Sequence, residues 1–155
     1  MGGGAEIAAA ERALERLFRL TVNRKVHTKQ TSAIGADVTR AGYAVLRSID
    51  EAGELSLGEL ARQCSMDPAA AGRQVKVLED DGFVEREPGE DARVTVVRLT
   101  DRGRDVYKRI VAVRNAHMTE VLSAWTTADR AALATLVDRL VDDLKAIPFR
   151  PATGD

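Results

Sequence analysis

The chain has 155 residues, 45% of them hydrophobic, with 23 Lys and Arg against 24 Asp and Glu for a formal net charge of −1. That length suits one ordinary domain, residues 1–155, with its own core, and the composition excludes a disordered chain. A balance so close to neutral gives no general attraction for nucleic acid, so any basic surface requires a fold that sorts the two signs onto different faces.

From the N-terminus, MGGGAEIAAAERALERL turns charged within a dozen residues and lacks the basic start and long apolar stretch of a signal peptide. No later run reaches membrane-spanning length. One cysteine, Cys64, excludes an internal disulfide and fits a reducing compartment, so a soluble, cytoplasmic protein is expected. Residues 6–29 repeat apolar side chains at helical spacing (Ala10, Leu14, Leu17, Phe18, Val22), which predicts a long first helix. After a polar connection, Thr39 is placed to cap a second helix that DEAGE ends. Ser56 and Glu59 stand at capping-box spacing and start a short third helix. Asp67 as N-cap with Pro68 in the first helical position starts a fourth, which Gly82 closes. FVERE and RVTVVRL are β-rich runs separated by PGEDA, and they predict a hairpin. Thr100 caps a fifth helix to about residue 124, and Thr126 with Asp129 forms a second capping box for the last. The expected fold is therefore mainly α with a small β-hairpin wing (α+β).

At about 100° per residue, the fourth helix puts Ala71, Val75 and Leu78 on one face and Ala69, Arg73 and Lys76 on the other. Two short helices joined by a tight turn, the second opening on small residues followed by Arg, Gln and Lys, suit a helix-turn-helix lying in the major groove. Small residues allow close approach to base edges, Arg73 can pair with guanine or phosphate, and Gln74 with adenine. Gly72 costs about 1 kcal/mol against alanine within a helix, which asks for either close DNA approach or tight helix packing. The hairpin complements the helix: an arginine at the end of a thin ribbon can reach the minor groove. Asp91 is expected to orient Arg93, or a neighbouring arginine, through a charge-assisted hydrogen bond.

The run from Asp37 to Gly103 resembles the DNA-binding core of the MarR family of bacterial transcriptional regulators. Leu78 and Gly82 closing the recognition helix, Arg86 on the first wing strand, Asp91 and Arg93 at the tip, and Leu99, Thr100 and Gly103 beyond it carry the resemblance. The pattern is departed from at Ala92, where many members carry a second basic residue, and at Ala69–Gly72, where a hydroxyl-rich start is common. The resemblance implies a winged helix-turn-helix core at 39–104, flanked by dimerisation helices at 5–30 and 105–147. It implies a homodimer on double-stranded DNA, with recognition helices in successive major grooves of a pseudo-palindromic operator, roughly 34 Å apart. Leu14, Leu17 and Phe18, with Val121, Leu122, Trp125, Leu133, Leu136, Leu140 and Leu144, would supply the apolar dimer surface. The DNA-binding residues would be Ala69, Ala70, Gly72, Arg73, Gln74, Lys76, Arg86, Asp91 and Arg93.

The resemblance also implies repression relieved by a small phenolic or anionic effector, whose polar lining would be drawn from Arg16, Arg24, His27, Tyr43, Arg47 and His117. Cys64 is expected to be a packed small hydrophobe rather than a redox sensor, since nothing nearby in sequence would stabilise a thiolate. Two distant histidines and one cysteine offer no zinc spacing, and there is no phosphate loop or nucleophile motif, so no metal, cofactor or enzymatic activity is expected. The alternative is a winged-helix protein-interaction module that has lost DNA binding.

Overall fold

The computed structural model describes residues 3–21 and 31–147. The expected extension of the first helix to residue 29 lies outside the described residues. Six helices and three strands follow in chain order among them: α1 (Gly3–Thr21), α2 (Arg40–Ala52), β1 (Glu54–Ser56), α3 (Leu57–Gln63), α4 (Pro68–Asp80), β2 (Val84–Pro88), β3 (Thr95–Leu99), α5 (Asp101–Val121) and α6 (Thr127–Ala146). They group into two compact units divided between Arg114 and Asn115.

Each expected cap is present. The Thr39 hydroxyl accepts from Gly42 N at 3.0 Å, Asp67 Oδ1 accepts from Ala70 N at 2.8 Å, and Thr100 Oγ1 accepts from Gly103 N at 3.0 Å. Reciprocal capping boxes form at Ser56 with Glu59 and at Thr126 with Asp129, satisfying amides that the first turn leaves without partners. Hydrogen bonds from the Ser56 backbone and then its hydroxyl hold the Glu59 carboxyl below its ordinary pKa. The resulting contribution to stability is complete above the unfolded carboxylate pKa and is lost as pH falls through the lowered folded value. Between α3 and α4 the chain reverses through Ser65 at φ 51°, a left-handed position, while Met66 N donates to Ala61 O at 2.9 Å.

The core of the first unit is built from Val45, Leu46 and Ile49 of α2, Leu60 of α3, Val75 and Leu78 of α4, Phe83, and the first turns of α5 through Val106 and Ile110. Val84, Val97 and Leu99 attach the hairpin to it. The sheet holds one strand more than expected: β1 pairs antiparallel with β3, giving the order β1-β3-β2, with Leu55 opposite Val97. Three residues are too few to show an alternation, and DEAGE reads as a turn, so β1 is legible only through its partner. On the exposed face, Arg98 of the central strand bonds Glu54 of β1 (Nε to Oε2, 2.6 Å) and pairs with Glu87 of β2 at 3.3 Å, joining all three strands.

The end of α4 and the start of α5 meet at closest range. Gly82, at φ 74°, ends α4 as Phe83 N donates to Leu78 O at 2.8 Å. Gly103 then lies against the Phe83 backbone so tightly that an added Cβ would stand 1.8 Å from the Phe83 carbonyl oxygen. Gly103→Ala should therefore destabilise the fold by about 3 kcal/mol or more, at the top of the range for overpacking. Gly58 of α3 has nothing within 4 Å of such a Cβ, and Gly58→Ala should instead add about 0.5–1 kcal/mol. Urea denaturation followed by circular dichroism measures both, and a Gly103→Ala midpoint equal to that of the parent would remove this close approach as a constraint.

Candidate nucleic-acid interface

Helix α4 is fixed on its inner side by Ala71, Val75 and Leu78, all buried, so Ala69, Arg73, Lys76 and Val77 face outward, with Ala70 half-buried near the N-cap. Lys76 is tied to Asp80 one turn on, and this hydrogen bond raises its pKa. Among the described residues the Arg73 guanidinium makes no ion pair, which leaves it as the uncompensated cation of the helix. Gln74 is half-buried, and its Oε1 accepts from the Thr39 hydroxyl at 3.0 Å. That bond stitches α4 to the N-cap of α2 and leaves the Gln74 NH2 group for a base. Gly72 faces α3, where an added Cβ would meet Leu57 Cδ2 at 3.5 Å, an ordinary contact.

Val77 is 48% exposed, and residue-type reasoning passed over it. The helical wheel holds the signal, because Val77 lies four residues from Arg73 and eight from Ala69 on one outward line.

The wing is ordered by its backbone. Gly89 N donates to Val94 O at 2.7 Å and Val94 N to Asp91 O at 2.8 Å, closing the tip. Asp91 Oδ1 accepts from the backbone amide of Arg93 at 3.0 Å. The carboxylate thus shapes the loop, an Asx turn, rather than gripping a guanidinium as the sequence suggested. Arg93 is exposed at the tip, with no ion pair among the described residues. Arg86 of β2 reaches back to Glu79 of α4 at 3.3 Å, so its charge couples the wing to the recognition helix.

Of the expected effector-lining residues, Tyr43 and Arg47 come together one turn apart on α2. The Tyr43 ring stacks with Tyr107 of α5 at 5.9 Å between centroids and carries the Arg114 guanidinium 4.6 Å above it. Arg47 bonds Glu51 at 2.8 Å, which raises its pKa, and burial raises that of Tyr107. Tyr107 and Arg114 were not foreseen, because contacts between α2 and α5 leave no local pattern. Arg16 is exposed on α1, His117 belongs to the second unit, and Arg24 and His27 lie outside the described residues. Cys64 is half-buried against the core with Sγ 3.4 Å from Ser48 Oγ. Among the described residues no group of His, Cys, Asp and Glu is placed to hold a metal ion, and no helix is long and apolar enough to cross a membrane.

Comparison with known proteins matches residues 38–95 to the MarR family. The helix-turn-helix transcriptional regulator YdgJ of Bacillus subtilis (strain 168) is 30% identical over 135 residues, spanning 86% of this chain and 81% of that protein. The chain belongs to the MarR family. Its members are transcriptional regulators rather than enzymes, and α3, the Ser65 turn, α4 and the β2–β3 hairpin are its winged helix-turn-helix. The transcriptional repressor Rv2887 of Mycobacterium tuberculosis (strain H37Rv) is 32% identical over 107 residues, covering 68% of this chain and 77% of that one. Among solved structures, a mutant MarR from E. coli complexed with operator DNA superimposes with a TM-score of 0.69 at 25% identity, over 90% of this chain and 99% of that one.

If Asp91 acts on the wing through its acceptor oxygen, Asp91→Ala should speed hydrogen exchange at the Arg93 and Val94 amides by several-fold while Asp91→Asn leaves it near the parent rate. Equal acceleration in both variants, read by NMR, would assign the effect to charge instead.

Proposed function

We propose that this MarR-family chain is a homodimeric repressor that binds a pseudo-palindromic operator through α4 and the wing and is released by a small anionic or phenolic effector. The observation that carries the reading is the pairing of an outward strip on α4, centred on an Arg73 without an ion pair among the described residues, with a wing tip that presents an equally uncompensated Arg93. A helix with a small-residue start suits the major groove, and an arginine on a thin ribbon suits the minor. The operator complex of the E. coli relative and the name of the mycobacterial one as a repressor support the same assignment.

Dimerisation through the terminal helices, residues 5–30 and 105–147, is supported by the unburied apolar side chains of α1 and α6 among the described residues. Helix α6 buries none of its twenty residues, yet Leu133, Leu136, Val137, Leu140, Val141 and Leu144 recur at helical spacing along it. Leu17 and Phe18 of α1 are about half exposed. The effector site is assigned to the Tyr43, Tyr107 and Arg114 cluster, where two aromatic faces and a cation suit an anionic aromatic molecule.

Selection from a random duplex library at moderate salt tests the central claim, and enrichment of a two-fold symmetric site is expected. Arg93→Ala should then weaken binding and lower the slope of log affinity against log salt by about 0.9 for each phosphate that is no longer neutralised, or about two units if each wing of a dimer reaches one. An unchanged affinity and slope would remove the wing from the mechanism, and no enrichment would favour a protein-interaction module. Leu136→Glu with Leu144→Glu should yield a folded monomer in sedimentation equilibrium that no longer binds the symmetric site. Retention of the dimer would move the interface elsewhere.

A further inference from the structure

Helix α4 carries three large aliphatic residues that could serve its core, and two of them do: Val75 is fully buried and Leu78 is 2% exposed. The third, Val77, is 48% exposed and lies on the outward line Ala69, Arg73, Val77. Valine is a poorer helix former than the lysine, glutamate or alanine that an ordinary solvated position would favour. Its surroundings also differ from those of a mixed-charge surface. Lys76 beside it is neutralised by Asp80, and Glu79 is taken by Arg86, so among the described residues the line offers one uncompensated cation with an apolar side chain one turn beyond it.

We propose that Val77 is a base-reading residue, and that it selects a thymine by contact with the C5 methyl group. The assignment rests on α4 entering the major groove, as proposed above. Thymine presents the one methyl group on the major-groove edge of DNA, and an exposed aliphatic side chain has no hydrogen bond with which to read any other base. Arg73 and Val77 are separated by about 6 Å along the helix axis, and base pairs by about 3.4 Å. The thymine therefore lies within about two base pairs of the base or phosphate that Arg73 contacts. With the Gln74 carbonyl engaged by Thr39, Gln74 keeps its NH2 group and Arg73 its guanidinium for hydrogen-bonded readout, and Val77 is the outward mid-helix side chain suited to a methyl group.

The test uses the full chain and the symmetric site it selects from random duplexes. Each thymidine of a half-site is replaced in turn by deoxyuridine, which removes the methyl group and nothing else. The expected result is one position at which the swap weakens binding by about fourfold per half-site, the worth of one buried methyl-sized group, and at which Val77→Ala no longer responds. Because Val77 is exposed, the variant should remain folded, and circular dichroism checks this. A selected site without any methyl-sensitive thymine, or with a sensitivity that Val77→Ala retains, overturns the assignment while DNA binding stands. Failure to select any site overturns the DNA-binding reading and this assignment with it.

Discussion

The geometry of the winged core depends on one backbone junction. Thr100 donates from its hydroxyl to Gly82 O at 2.7 Å and from its amide to Phe83 O at 3.1 Å, and its hydroxyl accepts from Gly103 N. Those bonds join the end of α4, the start of β2, the end of β3 and the first turn of α5 within a few ångströms. Gly103 is what permits the approach, because any side chain at that position would occupy the Phe83 carbonyl. The Arg102 guanidinium covers the Phe83 ring from outside, 5.2 Å from its centroid. A recognition helix and a wing can act on one duplex only if their separation is fixed, and this junction fixes it with backbone groups and one short, stiff threonine side chain.

Around that frame, charge is sorted by pairing. A net charge of −1 gives no general attraction for nucleic acid, and several cations of the winged core are compensated locally: Arg47 by Glu51, Lys76 by Asp80, Arg86 by Glu79, Arg98 by Glu54 and Glu87. Exposed pairs of this kind contribute little stability each. Their effect is electrostatic contrast, since they leave Arg73 and Arg93 as isolated positive points on the helix and the wing. On the proposed reading, a chain built this way would bind nucleic acid by position rather than by bulk attraction, in keeping with its near-neutral composition.

Much of the fold was legible because its determinants are local. Thr39, Ser56, Asp67, Thr100 and Thr126 announce helix starts through side chains that reach the amide three residues along, and Gly82 announces a stop through its own φ. The buried face of α4 followed from a wheel. What stayed hidden depends on partners distant in sequence. Strand β1 exists because β3 lies beside it, the Tyr43 cluster because α5 packs over α2, and the Gln74 tether because Thr39 sits 35 residues away. Asp91 shows a subtler limit: Asp-x-Arg spacing is equally compatible with holding a guanidinium and with holding an amide, and only the loop geometry selects the amide. Val77 was missed for another reason, since an apolar residue in a helix is read as core until its neighbours show which apolar positions the core has already filled.

Helix α2 is where the proposed effector site and the reading helix meet. Thr39, Tyr43 and Arg47 follow one another at intervals of four, so they share a face of that helix. Its first member holds Gln74 of α4, and its second carries the Arg114 guanidinium and the Tyr107 ring. A ligand that displaced Arg114 from Tyr43 would therefore act on the helix whose N-terminus locates α4. Proximity does not by itself make a switch, because a ligand shifts an equilibrium only by its difference in affinity for the two arrangements. The Thr39–Gln74 bond is the point at which such a difference would be felt by DNA. If it breaks in one arrangement, Gln74 is released and α4 keeps only its core packing against α2, while the junction at Thr100 and Gly103 keeps the wing in register with α4. Control through this face would then tilt the helix and wing together as one reading head rather than separating them.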